Sequence, residues 1–185
     1  MKVKKIAYAG LFIAMGILLP QLFHLSGLPQ SGSIFLPMHI PVLFAGFILG
    51  PLYGALIGVL LPIISAILTG MPPAARLPFM IAELMTYGFF CGYLYLNRGF
   101  FRKKFGIVST LVISMIAGRI IYAIMLFFSV FLLGMDTGGP VAAITALLMG
   151  IPGIIIQIVI IPTVIYSLKR GGFLNEFITK SEKNT

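Results

Sequence analysis

The sequence predicts an all-α membrane protein, a bundle of six transmembrane helices with both termini on the cytoplasmic side. Three observations carry this. Of 185 residues, 9% are charged and 59% hydrophobic, where a soluble domain has about 25% charged residues. From Ile6 to Ala75 there is no Lys, Arg, Asp or Glu, a run of 70 residues. The mean hydropathy is +1.11. So little polar material cannot clothe a soluble particle, which excludes a soluble enzyme, a nucleic-acid-binding domain and a disordered chain. The apolar residues are continuous rather than alternating, which excludes a transmembrane β-barrel.

A span needs ~20 apolar residues, because ~30 Å of hydrocarbon is crossed at 1.5 Å per residue. The uncharged block therefore holds three spans, divided by its own turn signals. Span one covers 5–25. It begins like a signal peptide (MKVKKIAYAGLF), but its apolar run exceeds the ~7–15 residues of a signal h-region and no small-x-small site follows, so it reads as a retained helix. The polar segment His24–Ser33 is a turn region, and span two follows over 34–49. Gly50-Pro51 is a turn dipeptide. Span three covers 52–68, and Thr69–Ala75 (TGMPPAA) ends it with two prolines. Span four covers 76–96, and the basic loop NRGFFRKK leads to span five over 105–133. GMDTGGP turns the chain into span six, 141–168, and 169–185 is a short cytoplasmic tail of this single membrane domain.

Orientation follows from the cations. With the N-terminus inside, the inner segments hold Lys2, Lys4, Lys5, Arg98, Arg102, Lys103, Lys104, Lys169, Arg170, Lys180 and Lys183, which is 11 of the 13. That asymmetry is the positive-inside pattern. The net charge of +9 is thus a loop property and not a nucleic-acid-binding stripe. Tyr8, Tyr53, Tyr93, Tyr95 and Tyr166 fall near inner ends, as an interfacial belt would; Tyr87 and Tyr122 do not. The single Cys91 permits no internal disulfide and reads as a small buried hydrophobe.

Gly46, Gly50, Gly54 and Gly58 recur every fourth residue, and Gly10 and Ala14 repeat that spacing in span one. Small-xxx-small faces let helices approach closely in lipid. Two readings stand here: internal packing of the first three helices, or docking of another membrane protein. Pro20, Pro37, Pro41 and Pro62 free backbone groups that need partners.

The costly residues are Glu83, Arg119 and Gln157, inside spans four, five and six. A charge at mid-depth costs about 2.5–3.5 kcal/mol even on the insertion scale, so these groups should face protein or a wet cavity. Glu83 and Tyr87 share a helix face at i,i+4, and Arg119 and Tyr122 share one at i,i+3. They compose a polar, tyrosine-lined pocket open to the outside, or a structural Glu83–Arg119 ion pair. In the pocket reading, Arg119 or Arg76 holds an anionic group through its guanidinium fork. His39 is a hydrogen-bonding wall residue, His24 is interfacial and Asp136 caps a turn. There is no P-loop, no HExxH, no zinc-ligand set and no nucleophile beside a His/Asp pair. Four acidic residues give little basis for enzyme or proton-relay chemistry. No cofactor is expected, and binding a solute is the better supported task.

The runs FLPMHIPVLFAGFILGPLYGALIGVLLPIISAILTGMPP (Phe35–Pro73) and RLPFMIAELMTYGFFCGYLY (Arg76–Tyr95) resemble the substrate-binding S components of energy-coupling factor (ECF) vitamin transporters. PMHIPVL and LTGMPP are the most telling parts, and the resemblance covers nearly the whole chain. It implies a non-enzymatic subunit of the bacterial cytoplasmic membrane that captures a vitamin from outside. Its implied partners are a transmembrane coupling subunit and two ATPase subunits. The first-helix AxxxA docking face of that family corresponds to Gly10 and Ala14, with Gly in place of the first Ala. Helices four to six, with the outer loops His24–Ser33 and Thr69–Ala75, would form the vitamin pocket. The substrate-binding set is then Arg119, Tyr122, Glu83, Tyr87, Gln157, Arg76 and His39. The central segment looks closest to the pantothenate branch; niacin, folate or a thiamine or pyridoxine precursor also fits. Two other readings are a stand-alone proton-coupled carrier and a six-span membrane scaffold.

Overall fold

The computed structural model describes residues 2–25, 27, 30–98, 100, 105–131, 134 and 139–172, and of these the side chains of Lys2, His24 and Pro140 are left aside. Among the described residues there is no strand. The described residues form eight α-helices: α1 (Lys2–Leu25), α2 (Ser31–Phe35), α3 (His39–Leu49), α4 (Pro51–Thr69), α5 (Leu77–Gly92), α6 (Gly106–Phe131), α7 (Gly139–Met149) and α8 (Ile151–Arg170). Counting α2 with α3, and the π-helical turn Tyr93–Asn97 with α5, six helical segments are long and apolar enough to cross a membrane.

Helix α3 is the axis of the bundle. All its residues except Ile40 are buried, and it touches α1, α4, α5 and α8. Its three-turn length is set by Gly50, whose φ of 98° ends the helix and whose neighbour Pro51 opens α4 at its first position. Such a φ is open to glycine and costly for residues with a Cβ. One linking residue forces α3 and α4 to lie side by side.

The glycine series serves packing among the first three spans only in part: a methyl at Gly54 would lie 2.9 Å from the Gly46 Cα of α3, but most of the close contacts go to α5. A methyl at Gly88 of α5 would land on the Gly54 carbonyl, one at Gly54 on the Gly88 carbonyl, and one at Gly92 on the backbone at Pro51; at Gly46 it would lie 2.6 Å from the Gly88 oxygen, and at Gly58 2.5 Å from the Leu84 carbonyl. The stripe is therefore consumed mostly by span four, which lies backbone to backbone on α4. The physical reason is that lipid offers no hydrophobic drive between helices, so close contact of small residues holds them. Gly10 is different: it has open space around it, and both it and Ala14 lie on the exposed face of α1.

Two local departures reshape the expected spans. The sixth is not continuous over 141–168: it breaks at Gly150 between α7 and α8, where Pro152 sits in the first turn of α8. At the other end of the bundle, the π turn adds a residue to the helical register of α5. Such a turn rotates the side chains that follow. Tyr95 consequently leaves the interfacial belt: it is fully buried and meets Phe47 edge-on at 5.0 Å. Lys5 reaches across that end to donate to the Leu49 carbonyl at 3.1 Å, satisfying the last turn of α3.

At the opposite end α4 closes with Gly70 at φ 69°. The Ser65 hydroxyl donates to the Met71 carbonyl at 2.8 Å, and Thr69 donates to Ser65 O at 2.8 Å, which folds the TGMPP segment against its own helix. The outward faces of α1, α4, α6, α7 and α8 carry exposed leucine, isoleucine, valine and phenylalanine side chains. That surface suits acyl chains.

Candidate functional site

The polar centre lies near the end of the bundle that carries the α4–α5 loop. Glu83 sits six residues into α5, His39 opens α3, Arg119 stands in the middle of α6, and Gln157 lies six residues into α8. Four helices thus bring together residues scattered through the sequence.

Glu83 is the hub and is buried. Its Oε1 accepts from the Tyr87 hydroxyl at 3.0 Å and lies 3.2 Å from Arg119 Nη1 and 3.7 Å from His39 Nε2. The first two are bonding distances; the third is too long for a hydrogen bond and leaves His39 an electrostatic neighbour. The His39 ring also leans on Tyr87, with centroids 5.2 Å apart. Tyr87 can take this position because α6 offers Gly118 beside it, where a methyl would occupy the phenol ring. The sequence reading left a choice between a structural ion pair and a solute pocket. The ion pair is present, yet it accounts for only part of the polar atoms.

The remainder is the informative part. Among the described residues, Arg119 Nε and Nη2, both His39 ring nitrogens, Gln157 Oε1 and Ser31 Oγ are buried without a hydrogen-bond partner. An orphaned buried polar group costs ≈ 1–3 kcal/mol, more if charged. In a native protein each such group calls for an explanation, whether a ligand, an ordered water or stored strain. The guanidinium has one nitrogen on Glu83, and its Nε–Nη2 edge is the edge that can grip a carboxylate with two parallel bonds.

Gln157 donates to the Leu36 carbonyl at 3.3 Å, tying α8 to the exit of α2. Leu36 has φ 49°, a left-handed conformation that turns its carbonyl out of the helix. Close seating of α2 on α8 depends on Gly153, where a methyl would lie 2.6 Å from the Phe35 carbonyl. Tyr122 is half-buried and meets Phe79 edge-on at 6.4 Å, at the margin of the cluster. Arg76 is exposed at the start of α5, outside it. The predicted turn residue Asp136 and the side chain of His24 lie outside the described residues.

The sequence did not single out Ser31, Gly118 or Gly150. Ser31 hides in a polar loop stretch. Gly118 adjoins a membrane-embedded arginine, and Gly150 precedes the Ile-Pro pair that starts α8. Those adjacencies were the available signals. Among the described residues no group of three His, Cys, Asp or Glu is placed to hold a metal.

Fold and cluster together define a multi-pass membrane protein organised around a buried polar centre near one face. The sequence profile of the family "ECF transporter, substrate-specific component" matches residues 4–165, and the chain belongs to that family. It is accordingly the substrate-selecting component of a transporter and not an enzyme, and it works in a membrane with an energy-coupling module. Searches of curated proteins and of solved structures returned no match.

Proposed function

We propose that the chain captures a small carboxylated vitamin, pantothenate in the first instance, from the outer side of a bacterial cytoplasmic membrane. It then delivers it for ATP-driven uptake with a coupling subunit and two ATPases. The observation that carries the carboxylate is the unpartnered Nε–Nη2 edge of Arg119, buried in an apolar bundle. Glu83 neutralises the arginine while the site is free and aims it through Nη1. The ligand carboxylate then takes the second edge of the fork. His39, Gln157 and Ser31 supply donors and acceptors for hydroxyl and amide groups, which pantothenate carries. Tyr87 and Tyr122 pack on the body of the solute. Helix α2 covers this end of the cluster and is tied down through the 3.3 Å bond from Gln157, so it is the element that must yield for entry. Arg76 stands at the rim, where it attracts anions.

The exposed Gly10–Ala14 face of α1 supports the docking role of that helix, because open small residues leave room for a partner's helix. The test is binding to the purified chain in detergent, with Arg119→Ala beside the unaltered protein. Losing a charge-assisted pair worth ≈ 1.5–3 kcal/mol should weaken pantothenate by roughly 10–150-fold. Equal affinity of the two proteins would refute the assignment. If nicotinate, folate or a thiamine or pyridoxine precursor binds instead, the vitamin changes and the role of Arg119 is tested on that solute. Vesicles holding this chain alone should not accumulate solute on a proton gradient, and accumulation would favour a stand-alone carrier.

A further inference from the structure

Gly150 stands at the break between α7 and α8, and its backbone gives no reason for glycine: φ −79° and ψ −4° suit any residue. What the position lacks is space. A Cβ there would lie 2.9 Å from Arg119 Nη2, 3.0 Å from Leu36 Cδ1 and 3.1 Å from the Ala146 carbonyl. The first two atoms belong to the cluster. Arg119 presents its unpartnered edge through Nη2, and Leu36 supplies the carbonyl that Gln157 holds. The chain passes α6 and α2 at this one point closely enough that a single methyl would push both.

We infer that Gly150 is a specificity-determining positioning residue, which sets where the free edge of the Arg119 guanidinium lies and thereby the preference for a carboxylate over a neutral group. The inference rests on the carboxylate reading above. A methyl at 150 leaves the backbone unstrained and shifts the end of a flexible side chain, so the bundle survives while the fork loses its aim. A two-pronged contact is lost with a small displacement, because both parallel bonds must be met together.

The experiment uses the full chain in detergent and two acid/neutral pairs as probes, pantothenate with panthenol and nicotinate with nicotinamide. The unaltered chain should bind the acid of one pair more tightly than its neutral partner. Gly150→Ala should lower that acid/neutral ratio about tenfold or more, with smaller change for the neutral compound. In an Arg119→Lys background, whose ammonium has no Nη2 to displace, adding Gly150→Ala should leave the ratio unchanged and lower the unfolding temperature by less than it does in the unaltered chain, since the contacts with Leu36 and Ala146 remain. An unchanged ratio in Gly150→Ala overturns the inference while leaving the role of Arg119 intact. If the unaltered chain shows no acid preference in either pair, the carboxylate reading itself fails. The unfolding temperatures of the four proteins then decide whether Gly150 and Arg119 are coupled, and additivity overturns the positioning role. Should Gly150→Ala not yield folded protein, its recovery in the Arg119→Lys background supports the contact, and failure there too refutes it.

Discussion

Replacing Glu83 by Gln removes one charge from the hub and almost no volume. The amide oxygen can still accept from Tyr87, so the 3.0 Å hydroxyl contact is kept. What disappears is the negative charge opposite Arg119, whose Nη1 lies 3.2 Å from that same oxygen in a site where the arginine side chain is 14% exposed and the glutamate 5%. At an effective dielectric of ~20, opposite charges at that distance attract by about 5 kcal/mol. Desolvation offsets part of this, but it does so only when the pair is made; with the pair broken, the arginine remains buried and uncompensated. Such losses run to about 3–5 kcal/mol. For a chain of this length that is roughly 6–20 °C in unfolding temperature. Cys91 is the only cysteine and is buried, so a thiol-reactive dye reports unfolding directly. The double variant Glu83→Gln/Arg119→Met should recover most of the loss, because a neutral buried pair of similar volume is often as stable as the ionic one. Pantothenate should protect Glu83→Gln by at least as many degrees as it protects the unaltered chain, its carboxylate replacing the missing charge. A Glu83→Gln protein melting within about 1 °C of the original would refute the claim that this carboxylate neutralises Arg119.

Gly88→Ala should abolish accumulation of folded protein, since its methyl falls on the Gly54 backbone and neither helix can retreat; detergent-stable monodisperse protein would contradict the backbone contact of α4 and α5. Gln157→Leu removes one of the two donors to the Leu36 carbonyl, which keeps the His39 N–H at 3.1 Å, so stability should fall by about 0.5–1.5 kcal/mol and solute binding should weaken through a looser α2, both measurable on the same sample. Gly10→Leu and Ala14→Leu enlarge an exposed face. They should leave solute binding and thermal stability unchanged and reduce ATP-dependent uptake in vesicles with the coupling module; full uptake would remove the docking role.

The spans themselves were legible because lipid imposes a simple arithmetic. Every backbone polar group must be satisfied within the segment, so a long uncharged run can only be helices, and Gly50-Pro51 and the TGMPP segment mark where they end. Cation placement supplied orientation for the same reason, since moving charge through hydrocarbon is costly. The burial of three candidate residues was legible too: Glu83, Arg119 and Gln157 are expensive in lipid, and their burial or near-burial follows from that expense. His39 came from its neighbourhood in the chain rather than from any periodic signal.

What hydropathy could not tell was which helix sits at the centre, because a helix facing lipid and one facing protein are equally apolar. Only packing decides that α3 is enclosed while α1 is largely bare. The same blindness hid the second partner of the glycine series, the backbone of α5, which adds to the expected approach of Gly46 and Gly54, and put Tyr95 at the interface when a π turn carries it inward. Composition and charge thus determined a six-span membrane protein with costly polar groups in its later helices. Tertiary structure alone decided how those groups share one another: the carboxylate of Glu83 satisfies Tyr87 and one nitrogen of Arg119, and the second edge of the guanidinium has no hydrogen-bond partner among the described residues. Hydrogen bonding depends on positions to a few tenths of an ångström, and distances that fine exist only once the helices have chosen their neighbours.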